Sequence, residues 1–229
     1  MRLHRFYIAP DRLELTHEFW VHDEPLLNQW LRVLRYREGQ EIVLFDGVET
    51  ERLYRMTRIE KDGVKLELVT EFERTLPDKH MYLFFSLLKK DKNEWVLQKC
   101  TELGVRNFVP VIAERSEKTG FNIDRAHKIV IEAAEQCGRS DIPDVREPIG
   151  IEELIRDYKD KVTVLICDER EESSTKDAHD PVGVLIGPEG GWTESELAQF
   201  QAAGFGSLHL GKLTLRAETA AVAAITKLL

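Results

Sequence analysis

VGVLIGPEGGWTESEL, Val182 to Leu197, is the stretch whose reading decides the fold. Its apolar run, Val182 to Ile186, suits a strand covered on both faces. Gly187, Gly190 and Gly191 let the backbone take positive φ and come close to a ligand. Thr193 with Glu196 three residues on is a capping box that opens a helix. A strand passing through a glycine-rich turn into a helix is the corner at which parallel α/β proteins bind ligands, so a ligand site is predicted here. The turn is neither G-x-x-x-x-G-K-[ST] nor G-x-G-x-x-G, and Glu189 stands where a phosphate would have to sit. A phosphate-free cofactor that carries positive charge, held by backbone groups around an adenine and ribose, suits Glu189 better. The missing G-x-G-x-x-G also disfavours a nicotinamide-dependent oxidoreductase.

Outward from this corner the same grammar repeats. YLFFSLL (Tyr82 to Leu88), FVPVI (Phe108 to Ile112) and VTVLIC (Val162 to Cys167) are further buried parallel strands, with LHL (Leu208 to Leu210) a weaker fifth. Between them a helix is predicted with Asp91 and Glu94 as its cap, Val96, Cys100 and Leu103 as its apolar stripe and Gly104 as its stop. Others are predicted from about Arg125 to Cys137 and from about Ala217 to Leu228. Residues 75–229 therefore read as an α/β domain.

Residues 1–74 read differently, as short strands punctuated by turns. EIVLFDG (Glu41 to Gly47) ends in Asp-Gly, and VKLELV (Val64 to Val69) alternates after Asp62-Gly63, a pattern that suggests a small antiparallel barrel. A helix over Leu26 to Arg37 interrupts it, and the segment around Pro77 marks the boundary.

With 229 residues, 42% hydrophobic and 32% charged, the chain can bury a real core and is neither disordered, collagenous nor a disulfide scaffold. Cys100, Cys137 and Cys167 contain no C-x-x-C pair, so neither a disulfide framework nor a zinc site is indicated, no metal is expected, and a reducing cytoplasm is the default. MRLHRFYIAP lacks a signal peptide's apolar core, and no aliphatic stretch approaches the ~20 residues that span a bilayer. The net charge, 32 − 41 = −9, weighs against nucleic acid, although Arg2, His4 and Arg5 open the chain and Arg32, Arg35 and Arg37 share one short segment, which allows either a local basic patch on an acidic body or an ordinary solvated surface.

Three further segments can carry chemistry. LGKLTLRAETAAVAAI (Leu210 to Ile225) puts Arg216 and Glu218 at a helix entrance followed by alanines that permit close approach to the glycine-rich loop or another chain. In EAAEQCGR, Glu132, Gln136 and Arg139 recur on one polar face, beside an apolar one of Val130, Ala133 and Cys137. Arg115 and Ser116 follow a strand, where α/β ligands bind.

Taken in order, HRFYI, QWLRVLRYREG, KKDKNEWVLQKCTELGV, ERS, EAAEQCGRSDIP, IGPEGGW and LGKLTLRAETA closely resemble the 16S ribosomal RNA uridine N3-methyltransferases, bacterial S-adenosylmethionine-dependent enzymes of the SPOUT class, over essentially the whole chain. The resemblance implies a PUA-like RNA-binding barrel, an α/β domain ending in a trefoil knot, a homodimer, and action on 16S rRNA of the small subunit in the cytoplasm. It places Leu165, Ile166, Gly187, Pro188, Glu189, Gly190, Gly191, Leu210, Gly211, Leu215 and Ala217 around the cofactor; from the local basic charge, Arg2, Arg5, Arg32 and Arg35 are expected to contact RNA phosphates. The chain departs from the family at Gln29-Trp30, where a histidine is usual, and at Thr214, where a large aliphatic residue is usual.

Uridine N3 must lose a weakly acidic proton and meet the sulfonium methyl in line; a nearby carboxylate can remove that proton and an arginine can stabilise the negative charge. Glu189 and Glu218 are candidate bases, and Arg216, Arg115 and Arg139 candidate stabilisers of the uracil anion. A SPOUT ribose 2'-O-methyltransferase and an inactive RNA-binding assembly factor are the alternatives; intact IGPEGG and LRAETA segments argue against the latter.

Overall fold

A computed structural model describes residues 3–116, 120–167 and 179–229. The chain divides into two compact units, one of Met1–Leu76 with Ala134–Ile142 and one of Pro77–Ala133 with Pro143–Leu229.

The first unit contains β1 (Arg5–Tyr7), β2 (Glu18–Val21), α1 (Glu24–Leu27), a π-helical turn at Asn28–Val33, β3 (Glu41–Phe45), β4 (Glu51–Ile59) and β5 (Val64–Glu71). The five strands lie in the order β1-β3-β4-β5-β2. Pairing is antiparallel as expected, except that β1 runs parallel to β3. Val64 and Leu66 are fully buried and pack with Phe6, Trp30, Ile42, Leu44, Tyr54 and Met56, while the alternate Lys65 and Glu67 face outward into ion pairs. The helix expected over Leu26 to Arg37 is shorter. Asp23 caps α1 by accepting from Leu26 N at 3.0 Å, and the π turn then re-aims the chain so that Trp30 is buried before Arg35 turns it at φ 55°.

The second unit is built from β6 (Met81–Ser86), α2 (Lys90–Glu102), β7 (Val105–Ile112), α3 (Ile123–Cys137), β8 (Asp144–Val145), β9 (Ile149–Gly150), α4 (Ile151–Tyr158), β10 (Thr163–Ile166), β11 (Val182–Ile186), α5 (Glu194–Ala202), β12 (Gly206–Ser207) and α6 (Ala217–Leu228). Its sheet is parallel throughout, in the order β12-β10-β11-β6-β7-β8 with β9 also on β7. All five residues of β11 are buried, the property of a central strand covered on both faces. Leu208 to Leu210 is not the fifth strand. The edge strand is Gly206–Ser207, and Leu208 only donates its N–H to Ile166 O at 2.8 Å. The cap expected from Asp91 and Glu94 is also absent. Lys89 holds the N-cap position without a side-chain bond, and Asn93 fixes the corner instead, accepting from Leu88 N at 3.0 Å and donating to Leu88 O at 2.9 Å.

Ala134–Ile142, read from sequence as part of the second domain, clusters with the first unit for a specific reason. Glu51, buried in β4, accepts from both terminal nitrogens of Arg5 and from the Ser140 hydroxyl. Ser140 Oγ in turn accepts from Thr75 N at 2.8 Å, and Glu135 accepts from Tyr7 N at 2.8 Å.

Candidate functional site

Because every strand of the second sheet points the same way, their carboxyl ends share one edge, and there the structure forms a cavity of about 960 Å³. Ile186 closes β11, Cys167 follows β10 and Leu208 follows β12, so three strand ends contribute to its floor. Gly187 to Trp192 and Leu208 to Gly211 supply two loops, and Leu213 to Ala217 with Ala220 bring the entrance of α6. Lys92, from the first turn of α2, and Arg115, from the loop after β7, complete the wall.

The glycine-rich loop is shaped by close approach more than by backbone conformation. Only Gly191 has positive φ, at 67°; Gly187 and Gly190, expected to share it, do not. A Cβ on Gly187 would stand 3.0 Å from Trp192 Nε1, and one on Gly190 would stand 3.2 Å from the Arg115 Cβ. Arg115 also donates from Nη1 to Gly190 O at 3.0 Å, which fixes the loop. The capping box predicted at Thr193 is formed: Thr193 Oγ1 accepts from Glu196 N at 3.2 Å, and Glu196 Oε2 accepts from Thr193 N at 2.8 Å. The other Glu196 oxygen accepts from Glu114 N at 2.8 Å, so the start of α5 is tied to the strand-end loop that carries Arg115. Trp192 packs edge-on to Phe200 with centroids 5.0 Å apart, and its buried Nε1 has no hydrogen-bond partner among the described residues.

The cavity wall carries an ion pair. Lys92 is ion-paired with Glu189, and its Nζ lies 3.7 Å from Glu218 Oε2. The hydrogen bond from Lys92 holds the Glu189 carboxyl below the usual range, and the same bond, aided by Glu218, raises the Lys92 ammonium. Burial pushes the Cys167 thiol up to about 12. Among the described residues no group of three or more His, Cys, Asp or Glu is arranged to hold a metal ion, and no helix is long and apolar enough to cross a membrane.

Of the residues expected around a cofactor, Gly187, Pro188, Glu189, Gly190, Gly191, Leu210, Gly211, Leu215 and Ala217 line this cavity, together with the candidate catalytic Arg115 and Arg216. Leu165 and Ile166 do not. They are buried inside β10, and the chain reaches the cavity only at the next residue, Cys167. Glu218 is not in the lining and stands behind Lys92. Arg139 belongs to the first unit, where its Nε and Nη2 bond Asp141 at 2.9 and 2.7 Å. The helical face proposed for it fails because Gly138, at φ 92°, ends α3 first, leaving Glu132, Gln136 and Cys137 exposed. Among the candidate RNA contacts, Arg2 lies outside the described residues, Arg5 is committed to Glu51, and Arg32 and Arg35 are exposed.

Lys92, Cys167, Trp192, Leu208 and His209 line the cavity without having been singled out from sequence. Lys92 carries no local signal of this role, and only the neighbouring of β6 and β11 brings it here. It stands one turn into the helix after β6, the strand beside β11, and so has to come near the same sheet edge.

The residues present fit a nucleoside-type cofactor of positive charge. The lining offers two backbone loops, an apolar wall and one carboxylate, and the orphaned Trp192 Nε1 is a buried donor at the edge of a cradle that a side chain on Gly187 would crowd.

Comparison with known proteins gives consistent matches. Residues 75–229 match the family described as RNA methyltransferase domain, and residues 31–69 the RNA methyltransferase PUA domain. The chain is 31% identical to ribosomal RNA small subunit methyltransferase E of Bacillus subtilis, over 98% of this chain and 95% of that protein. It is 28% identical to the enzyme of the same name from Rickettsia conorii, over 99% and 95%. The crystal structure of ribosomal RNA small subunit methyltransferase E from Neisseria gonorrhoeae bound to S-adenosyl methionine superposes with a TM-score of 0.89 at 34% identity, covering 99% of this chain and 97% of that one.

Proposed function

Since the chain belongs to the ribosomal RNA small subunit methyltransferase E family, we propose that it transfers a methyl group from S-adenosylmethionine to N3 of a uridine in 16S ribosomal RNA. The observation that carries this reading is the near full-length likeness to the Neisseria gonorrhoeae enzyme, at 34% identity and a TM-score of 0.89. The cavity supports it independently, since it offers backbone groups for a nucleoside and a carboxylate for a cation.

S-adenosylmethionine supplies the electrophilic methyl group when bound. The backbones of Gly187 to Gly191 and of Leu210 and Gly211, with Leu215 and Ala217, would hold it. Trp192 Nε1 offers a donor already removed from water. Uridine N3 lies on the Watson-Crick edge, so the base has to be unpaired or flipped before it can enter. Arg216, exposed and lining the cavity, stabilises the negative charge that spreads onto the uracil oxygens when the N3 proton passes to solvent water at that exposed side. Arg115 acts at one remove by holding the loop through Gly190 O. While Lys92 is bonded to Glu189 that carboxylate is a poor proton acceptor, because its anionic form is the stabilised one.

The first unit carries the RNA contact through Arg32 and Arg35, the enzyme works in the cytoplasm, and two chains associate as a homodimer. Light scattering should return a particle of about twice the 26.5 kDa chain mass. Mass spectrometry of nucleosides from 16S rRNA methylated by the purified protein tests the reaction. The expected product is uridine methylated on the base at N3; a methyl group that leaves with the ribose fragment would refute the assignment.

A further inference from the structure

Lys92 and Glu189 are opposite charges that meet at the cavity wall, one from the first turn of α2 and one from the glycine-rich loop. The pair is not sealed in: Glu189 is 53% exposed and Lys92 22%. An ion pair of that exposure contributes little by itself, so it opens at small cost when better partners arrive. Behind it stands a third charge. Glu218 is only 16% exposed, and its buried Oε2, with no hydrogen-bond partner among the described residues, lies 3.7 Å from Lys92 Nζ. A buried carboxylate oxygen without a donor is costly, so a lysine able to move toward it has somewhere favourable to go.

We propose that Lys92 and Glu189 together form a receptor for the zwitterionic amino-acid end of the cofactor: their ion pair opens, Lys92 binds the cofactor's carboxylate and Glu189 its ammonium. This deepens the cofactor reading of the same cavity and rests on it. An amino-acid group carries one ammonium and one carboxylate on the same carbon, and the wall presents the complementary two charges already side by side. The exchange conserves charge, since each side chain gives up one opposite charge and gains another. Glu218 makes it feasible by keeping a negative neighbour beside Lys92 throughout. Lys92 would therefore be a binding residue, and Glu218 a positioning residue acting through it.

The test is calorimetric and needs no turnover. S-adenosylhomocysteine keeps the nucleoside, the thioether and the zwitterion, whereas 5'-methylthioadenosine lacks the amino acid. Both are titrated into the wild-type protein, Lys92→Met and Glu189→Gln. Each substitution removes a charge-assisted hydrogen bond to the amino-acid group, so S-adenosylhomocysteine should bind about tenfold more weakly or worse, with 5'-methylthioadenosine changed less than about twofold. Equal losses for the two ligands would show that Lys92 and Glu189 only shape the loop, and undiminished S-adenosylhomocysteine binding would place the zwitterion elsewhere; either outcome overturns the proposal. Failure of the wild-type protein to bind either ligand would instead sink the underlying cofactor reading.

Discussion

Glu51 and Glu189 are both glutamates paired with a cation, and they do opposite work. Glu51 in the first unit is 4% exposed, accepts from two guanidinium nitrogens of Arg5 and from Ser140, and has no surface left to offer a ligand. Glu189 in the second unit is 53% exposed, has Lys92 as its ion-pair partner and faces a cavity. The first is saturated and architectural; the second is undersaturated and can exchange its partner. Pairing alone does not distinguish a structural charge from a functional one. The number of donors already spent, and the space left beside them, does.

The largest effect should come from breaking the saturated side. Glu51→Ala leaves the Arg5 guanidinium, 15% exposed, without its counter-charge and deprives Ser140 of its acceptor. Removing one partner of such a pair costs about 3–5 kcal/mol, so the urea midpoint should fall steeply. A loss below about 1 kcal/mol would mean that the pair is as dispensable as a surface one.

The second effect reverses the balance between stability and binding. Gly187→Ala puts a Cβ 3.0 Å from Trp192 Nε1, and the indole is backed by Phe200, so it has to shift by a few tenths of an ångström. Such overpacking costs about 1–3 kcal/mol. S-adenosylhomocysteine affinity should drop by at least about tenfold, since displacement of this order at a binding wall is poorly tolerated. Calorimetry and a denaturation curve on the same sample separate the two. Unchanged affinity would remove Trp192 from the site.

These contrasts also explain what could be read in the sequence. β6, β7, β10 and β11 were legible because a parallel strand covered on both faces writes itself as a continuous apolar run. β12 was not, because two residues, Gly206 and Ser207, carry no period, and the apolar Leu208 to Leu210 beside them has more strand character than the strand itself. The glycine-rich loop and the entrance of α6 were legible as text, down to Thr193 and Glu196, since capping is local chemistry. Lys92 was hidden inside KKDKNEW, which reads as a solvated helix start, and its role appears only when α2 is set beside the loop. Arg5 erred in the other direction. It reads as a free cation near the start of the chain because its partner, Glu51, lies 46 residues away.

A third effect tests a carboxylate of intermediate saturation. Asp46, at the Asp-Gly turn after β3, accepts from the N–H groups of Val48, Glu49 and Thr50 at 2.8 to 2.9 Å. Burial alone would raise its carboxyl, but these donors outweigh it and hold it below the usual range. A lowered folded-state value stabilises the fold above the unfolded-state value and loses that contribution as pH falls through the folded one. Asp46→Ala should therefore cost about 1–2 kcal/mol at neutral pH and progressively less below about pH 4. A deficit that persists unchanged at pH 2 would show that the turn depends on the side chain's shape and not on its charge.

The smallest effect on stability is expected at Arg32 and Arg35, and it is the one that bears on RNA. Both are exposed in or just after the π-helical turn. Arg5 supplies the control: Arg5→Gln should destabilise the fold, because it empties the Glu51 site, whereas Arg32→Gln with Arg35→Gln should leave the urea midpoint within about 0.5 kcal/mol of wild type. If the two arginines meet phosphates, each one removed forfeits the release of a counterion. For a single-stranded target the slope of log affinity against log salt should then flatten by about 0.7 per contact, or about 1.4 for the pair. S-adenosylhomocysteine affinity should not change, since neither residue lines the cavity. A filter-binding titration of a 16S rRNA fragment between low and physiological salt gives the slope. If it is unchanged, Arg32 and Arg35 are ordinary solvated charges, and the RNA contact has to be sought on another face of the first unit or at the mouth of the cavity.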